Sequence, residues 1–424
     1  MATLYDYIAA MAGAIASQKS ALFTGLLTIN PGAEKGPQRA AFSDPSDIDL
    51  YVLPEKFHAV VRAYLKAMRS IYVASDLKTS FVHLNELLVC LNRAAESQTN
   101  WICPALINCS DELISVYQVR EKQFPHESSD VGGVDGSQES PLEVVASTIN
   151  KAFKVCLTDK LLEPKLSKKQ SIHFFLAALL KLYFKLDKLE LAKSVEKALA
   201  ATGHASPTPQ NTQVQYRKYA VTYLYYSALL SLNDSDFGAA ENKLDTAMVF
   251  LRCYKKPAVV AKQTERILML LVPLKMRSSR VSLARREWKK YPSLKLVYHD
   301  HLWPAVRSGN VQQFDFWTAK LLKVFLKRYI YVLMLNLRNL CILRLFEHTH
   351  RLFGGLESKT PHIVPFTVFQ RALSQSRAES VESVDLGEIE CLLANYIHKR
   401  QIKGYLSHGN GCIVFSKTEP FPKI

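Results

Sequence analysis

The chain has 424 residues, of which 48% are hydrophobic and 22% are charged, a balance typical of folded globular proteins and not of disordered ones. Its length predicts about two or three domains. The formal net charge of +16 and the pI of about 9.3 favour acidic or polyanionic partners, although they do not indicate a fold.

Neither a disulfide framework nor a membrane span is expected. The eight cysteines are scattered without CxxC or CxxH spacing, mostly in apolar helical patterns, which is typical of small buried residues in a reducing compartment. The N-terminus has no basic segment before its apolar stretch, so it predicts an amphipathic helix and no signal peptide. The longest apolar run, Tyr329 to Phe346, contains Arg338 and Arg344 and should not cross a bilayer. We therefore expect a soluble intracellular protein.

Helical periodicity dominates the chain up to about Phe353. It predicts helices over residues 3–19, 55–73, 77–95 and 107–124. A loop rich in Pro, Gly and Asp is expected from Asn30 to Pro54. Residues 126–140 hold almost no apolar side chains and predict a flexible linker.

Four short polar connections predict that the following helices come in pairs. One residue is taken to mark each connection, and successive markers are 46, 44 and 30 residues apart: Leu186, Leu232, Met276 and Val306. Such an imperfect period indicates an α-solenoid of helical hairpins like those of TPR or HEAT proteins. A stripe of tyrosines on one of these helices could stack bases, but we favour packing between helices: Tyr216, Tyr219, Tyr223 and Tyr226.

The C-terminal segment predicts three helices followed by a β-hairpin. Pro365 precedes a short helix, Phe366 to about Gln375. Asp385 and Glu388 fit a capping box at the start of the next helix, and Lys399 and Arg400 end it. Two strand-like segments follow, 402–407 and 412–417, joined by a turn containing Asn410-Gly411.

This order of elements predicts a winged helix, so the fold class is mainly α with a solenoid and a C-terminal winged helix. We divide the chain into an N-terminal helical region (1–125), a linker (126–140), the solenoid (141–328) and the winged-helix domain (329–424). The candidate nucleic-acid-binding residues lie at the helix end and the hairpin: Lys399, Arg400, Lys403, His408 and Lys417. A basic face that only packs the domain is the equally weighted alternative.

Several stretches resemble the PCI-domain-containing protein two family, which includes the signalosome-subunit-twelve-like proteins. They are LLKLYFKLDKLELAKSVEKAL, YKKPAVVAKQTERILMLLVPLKM, WPAVRSGNVQQFD and VDLGEIECLLANYIHKRQIKGYLSH with the terminal SKTEPFP. The resemblance covers about Leu142 to the C-terminus. The basic pair Lys399-Arg400 departs from the small or neutral residues common there, and the stretch FWTAKLLKVFLKRYIY is only loosely similar to an acidic, Phe-rich one.

The resemblance implies a non-enzymatic subunit. It implies pairing with a second PCI protein, the large scaffold of the nuclear transcription-and-export complex two, so that two winged helices form a platform for RNA or DNA. It also implies a small acidic disordered partner of the proteasome-lid type.

A strongly basic segment lies in the middle of the chain. Residues 251–330 contain 18 Lys and Arg residues against four Asp and Glu residues. This field could attract a nucleic-acid backbone or an acidic protein. The candidate residues are Lys255, Lys256, Arg285, Arg286, Lys289, Lys290, Lys327 and Arg328.

No motif indicates catalysis, a cofactor or a metal. Gly-rich phosphate loops, HExxH and GxSxG are absent from the sequence. His348 and His350 are two residues apart on a predicted helix and make a poor metal pair, and His299-Asp300-His301 indicates a helix boundary.

We therefore predict a nuclear scaffold in messenger-RNA export, with the cytoplasm as a second location and little sequence specificity for single-stranded RNA or DNA. The alternative is a signalosome- or splicing-associated PCI protein acting only through protein contacts. A third hypothesis is a structural subunit of a proteasome-lid-like assembly.

Overall fold

A computed structural model describes the structure of residues 3–124, 140–161, 163, 165–202, 208, 210, 216–251, 254, 256–278, 285–355 and 360–422. The chain divides into two compact units, Met1–Ser227 and Ala228–Ile424. The linker predicted at 126–140 lies outside the described residues except for Ser140, which caps the next helix. The predicted domain boundaries stay predictions.

The first unit is helical, and most successive helices pack against each other. In the part of this unit that the structure describes, two short 3₁₀ segments lie between α-helices, Asn100–Ile102 and Lys168–Ser171. Its described helices are α1 (Leu4–Ala16), α2 (Ser20–Leu27), α3 (Lys35–Ala40), α4 (Asp47–Leu50), α5 (Glu55–Tyr72), α6 (Leu77–Ala95), α7 (Cys103–Gln123), α8 (Pro141–Leu157), α9 (Ile172–Lys185) and α10 (Leu189–Ala201). The helix α11 (Arg217–Asn233) begins in this unit and continues past Ser227 into the second.

Long periodic segments of this unit are where the sequence predicts them. The helices expected at 55–73 and 77–95 are confirmed as α5 and α6. The loop expected from Asn30 to Pro54 is partly wrong, because it contains α3 and α4. Ser46 caps α4 through a reciprocal pair of hydrogen bonds with Asp49, a local signal that the sequence carries.

The tyrosine stripe packs between helices, as predicted. Tyr219 meets Phe174 edge to face at 4.9 Å between ring centroids, and Tyr223 lies 5.6 Å from the ring of His173. Tyr216 is only 7% exposed. These contacts pack α11 against α9, and the aromatic rings form part of the hydrophobic core between the two helices.

The second unit combines helices with a small sheet. Its central helix, α19, contacts helices both before and after it in the chain. The elements are α12 (Phe237–Leu251), α13 (Pro257–Arg277), α14 (Arg285–Lys290), α15 (Pro292–Leu294), a π-helical segment (Lys295–Leu302), α16 (Trp303–Ser308), α17 (Val311–Lys320), α18 (Leu322–Lys327), α19 (Tyr331–Gly355), β1 (Ile363–Pro365), α20 (Phe366–Arg377), a 3₁₀ turn (Val381–Ser383), α21 (Leu386–His398), β2 (Gly404–Ser407) and β3 (Cys412–Phe415).

Three of the four predicted tight connections turn through a residue with positive φ. These residues are Asp187 between α9 and α10, Ser235 between α11 and α12, and Gly309 between α16 and α17. A Cβ atom at Gly309 would come within 2.7 Å of the Leu345 backbone, so this turn requires glycine for space as well as for conformation. Most of the fourth connection, residues 279–284, lies outside the described residues.

The predicted winged helix is confirmed at the end of the chain. Its elements follow the order α19, β1, α20, α21, β2 and β3, and the strands form an antiparallel sheet in the order β1-β3-β2. The strand β1 was not predicted, because a three-residue segment becomes a strand only through its pairing with β3. The fold is therefore mainly α with a winged-helix end.

The described cysteines are mostly buried. Five of them are buried, Cys90 is half-buried and Cys391 is exposed, and all seven are free thiols. Cys253 lies outside the described residues. No helix in the described ranges is both long and apolar enough to cross a bilayer.

Candidate nucleic-acid interface

The end of α21 holds two exposed cations in a fixed turn. Lys399 is the C-cap residue, and the backbone amide of Arg400 donates to the Ile397 carbonyl at 2.9 Å. Arg400 has a φ of 57°, which reverses the chain so that the Ile402 amide reaches the Tyr396 carbonyl at 3.2 Å. Both cationic side chains therefore point from a defined helix end into solvent.

Two more cations, Lys403 and Lys417, lie at the base of the hairpin, whose first strand follows α21 in the chain. The backbone of Lys403 accepts from the Ser416 amide at 2.8 Å and donates to the Pro420 carbonyl at 2.9 Å. Lys417 follows directly and is exposed. The ammonium group of Lys403 forms an ion pair with Glu419. We call Lys399, Arg400, Lys403 and Lys417 the base cluster.

The C-terminal segment after β3 is anchored to the core of the winged helix. The ring of Phe421 packs 5.4 Å from Phe415 and 5.6 Å from His350 on α19. Burial lowers the pKa of His350, which is consistent with a packing role for its ring. This packing fixes the chain that carries Lys417 and Glu419 beside the hairpin base.

The structure separates His408 from the base cluster. His408 lies in the turn at the other end of the hairpin, five residues beyond Lys403 along an extended strand, roughly 16 Å away. Its Nδ1 atom is 2.9 Å from a carboxylate oxygen of Glu390 on α21. The predicted turn with Asn410-Gly411 between the strands is confirmed: it spans residues 408–411, and within it only Gly411 has positive φ.

Tyr405 is a candidate that the sequence reasoning missed. Its side chain is 63% exposed on β2 and lies on the same sheet face as Lys403, two residues earlier. The alternation of inward Leu406 and outward Tyr405 could have revealed it. An exposed ring next to cations is suited to stacking on a base of a single strand.

The outward face of α21 is nearly uncharged. The exposed residues of α21 include no Lys, Arg, Asp or Glu: they are Leu386, Gly387, Cys391, Ala394, Asn395 and His398. Binding of phosphates would therefore involve the helix end and the wing and not the helix face.

The predicted capping box at the start of α21 is wrong. Asp385 is the N-cap residue, but its side chain makes no capping hydrogen bond. Glu388 instead accepts two hydrogen bonds from the guanidinium of Arg377 on α20, at 2.6 and 3.3 Å. The Glu388 carboxylate, which a capping box would use locally, is instead hydrogen-bonded to a residue of another helix.

The basic segment in the middle of the chain is distributed over several helices. Lys256 precedes α13, Lys289 and Lys290 lie on α14, and Lys327 ends α18; all four are exposed. Arg328 is half-buried, and Lys290 lies 3.4 Å from Glu287. Lys255 and the side chains of Arg285 and Arg286 lie outside the described residues.

The histidines considered as ligands have other neighbours. The ring of His301 stacks on Trp317 at 3.6 Å between centroids, and His299 Nδ1 lies 2.8 Å from Asp300. Within the described part of the chain no cluster of three or more His, Cys, Asp or Glu residues could hold a metal.

Comparison with known proteins agrees with this architecture. The model of the PCI domain matches residues 317–417, which include α18 to α21, the sheet and all five candidate residues of the winged helix. The Protein CSN12 homolog of Debaryomyces hansenii is 46% identical over 99% of this chain and 98% of its own length. The chain belongs to the CSN12 family of PCI-domain proteins.

More distant members of this CSN12 family carry two further names. PCI domain-containing protein 2 of Danio rerio is 26% identical over 100% of this chain and 98% of its own length. The Cop9 signalosome complex subunit 12 of Saccharomyces cerevisiae is 27% identical over 80% of this chain and 79% of its own length. The predicted relationship to the PCI-domain-containing protein two and signalosome-subunit-twelve-like family is thereby confirmed.

Proposed function

We propose that this chain is a non-enzymatic scaffold subunit of a nuclear complex acting in messenger-RNA export or in transcription coupled to it. Its winged helix pairs with that of a second PCI subunit and contributes half of a platform for single-stranded RNA or DNA. The family relationship supports the role of complex subunit, since relatives are named as signalosome subunits.

The base cluster is the observation that carries the nucleic-acid part of the proposal. Four exposed cations lie at the helix end and at the base of the hairpin, where Tyr405 is also exposed and where Lys403 forms its ion pair with Glu419. Cations neutralise phosphates and release counterions, while an aromatic ring stacks on bases of any identity. A partner's winged helix would add a second weak surface, and two linked weak surfaces bind more tightly than either alone.

The test is a charge reversal of the base cluster, Lys399→Glu with Arg400→Glu and Lys403→Glu. Binding of a fluorescent oligo(U) to the full chain is measured across a salt series. We expect weaker binding and a salt dependence shallower by about 0.7 in log–log slope for each phosphate that the variant no longer neutralises. Tyr405→Ala should weaken binding by roughly 1–3 kcal/mol without changing the slope, and Tyr405→Phe should bind like the wild type.

The matched control changes the net charge equally at exposed lysines of the first unit, Lys56→Glu with Lys122→Glu and Lys197→Glu. If both triple variants lose affinity equally, only the overall charge attracts RNA. Binding that is unchanged in the base-cluster variant would contradict the proposal. That result would favour a PCI subunit that acts purely through protein contacts in a signalosome- or splicing-associated complex.

A further inference from the structure

A cleft in the first unit, remote in sequence from the winged helix, is lined by five cations and two carboxylates among its eleven lining residues. It lies between one face of α6 and one face of α8 and has a volume of about 670 Å³. Arg93 comes from α6, Lys151 and Lys154 come from α8, and Lys160 and Lys168 come from the segment after α8. Its volume is in the range of small-molecule binding sites.

One of these cations is already used by the fold. Lys168 is 3% exposed, and its Nζ atom donates to the carbonyls of Ala95, Glu96 and Gln98, at the end of α6 and just beyond it, at 3.2, 3.3 and 2.6 Å. Its ammonium is also 3.9 Å from Asp159. The Asp159 carboxylate in turn accepts from the Lys168 amide at 2.7 Å. Lys168 and Asp159 therefore compensate each other's charge, and the Lys168 ammonium connects the segment after α8 to the end of α6.

The other four cations have no such compensation. Arg93, Lys151, Lys154 and Lys160 are exposed, and none of them forms an ion pair with another described residue. Glu96 is the remaining carboxylate among the residues that line the cleft. Four positive groups around one cavity repel each other, and a bound anion would remove that repulsion.

Stabilisation of helix ends explains only part of this arrangement. Arg93 and Lys154 lie in the last turns of α6 and α8, where cations favour the helix dipole. Lys151 lies a turn earlier in α8, and Lys160 lies beyond its end, so the dipole does not account for them. All four cations nevertheless line the same cavity from different segments.

We propose that this cleft binds a compact polyphosphate anion. Cations that converge on a cavity from two helices and a following segment can bind several phosphates of one small molecule at once. An extended nucleic-acid backbone would instead require cations along a line. The bound anion would connect α6 to α8, and it would therefore stabilise the first unit.

The probe is inorganic tripolyphosphate, added to the full chain at physiological salt. We expect a saturable binding isotherm by calorimetry and a rise in the thermal unfolding temperature, because a ligand that binds only the folded state stabilises it. Lys151→Gln with Lys154→Gln should weaken binding by about tenfold for each charge-assisted hydrogen bond that it removes. Both side chains are exposed, so the variant should fold, which circular dichroism checks.

The matched control is Lys56→Gln with Lys122→Gln, two exposed lysines of the same unit that do not line the cleft. Equal weakening by both double variants would indicate general attraction of anions and would overturn the proposal, as would absence of saturable binding. A third outcome also overturns it: loss of oligo(U) binding in the cleft variant with tripolyphosphate binding unchanged would assign the cleft to a nucleic-acid backbone.

Discussion

At the scale of single residues, burial decides the protonation of His173. This residue lies in α9 with none of its surface exposed, against the ring of Tyr223 on α11. Desolvation by burial disfavours the charged imidazolium and lowers its pKa to about 4. The folded protein therefore holds a neutral imidazole at a pH where the unfolded chain, with an ordinary pKa of about 6.5, already binds a proton.

The unfolded state binds more protons than the folded state between pH 6.5 and 4, so stability should fall as the pH falls through this window. The loss from this residue should reach about 3 kcal/mol near pH 4. We expect His173→Leu to make the free energy of unfolding less dependent on pH, as measured by urea titration from pH 7.5 to 4. The exposed His398→Gln should keep the wild-type dependence, and identical curves for all three proteins would contradict the prediction.

At the scale of elements, the winged helix is joined by contacts that cross between helices. Arg377 on α20 binds Glu388 on α21 through two hydrogen bonds, and the guanidinium-bearing side chain is 15% exposed. The hydroxyl of Tyr396 on α21 donates to the Asn339 carbonyl on α19 at 2.7 Å. Burial of this tyrosine raises its pKa, so it remains a donor throughout the physiological range. These bonds fix the direction in which α21 presents the base cluster.

The two acidic residues at the start of α21 should therefore differ in their effect on stability. A capping box would make Asp385 and Glu388 equally important. The structure predicts that Glu388→Ala costs about 1 kcal/mol, because it removes both hydrogen bonds to a mostly buried guanidinium and leaves it only the Glu379 carboxylate at 3.9 Å. Asp385→Ala should cost only a few tenths of a kcal/mol, since its side chain makes no capping hydrogen bond.

The measurement is the free energy of unfolding from urea titrations of the full chain, followed by circular dichroism. The conservative Glu388→Gln, which keeps an acceptor for Arg377, should be intermediate. Equal losses of unfolding free energy in the two alanine variants would contradict this prediction and would indicate that the capping box forms.

At the scale of the whole molecule, the net charge of +16 is concentrated in the middle of the sequence. Residues 251–330 hold 18 of the 54 Lys and Arg residues but only four of the 38 Asp and Glu residues. Exposed cations of this segment lie on helices of the second unit, at Lys289, Lys290 and Lys327. Such a field increases the rate of encounter with an acidic chain and weakens as salt rises.

We predict that a small acidic disordered protein of the proteasome-lid type binds this segment. Lys289→Glu with Lys290→Glu and Lys327→Glu should reduce its affinity by at least about tenfold at about 100 mM salt, with a smaller difference at high salt. Fluorescence anisotropy with the labelled acidic protein measures this. The control is the charge-matched Lys56→Glu, Lys122→Glu and Lys197→Glu variant, which should bind normally. Undiminished binding by the first variant would contradict the prediction.

The sequence by itself determined the elements whose signals are local. Periodic apolar residues located α5 and α6, the short polar connections located the helix pairs, and the order of elements after Phe366 indicated a winged helix. Such patterns work because each helix must bury one face whatever it packs against. The cations at the end of α21 were likewise visible, since helix ends and hairpins have their own residue preferences.

Only the tertiary structure decided which of these residues meet. The strand β1 joins the sheet only through its pairing with β3. Glu388 forms hydrogen bonds with Arg377 on another helix and does not cap α21. His408 lies the length of a strand away from the base cluster. The tertiary structure also brought Arg93 together with Lys151 and Lys154 around one cleft. These pairings depend on how distant segments pack, and a local pattern of apolar and charged residues holds no information about that partner choice.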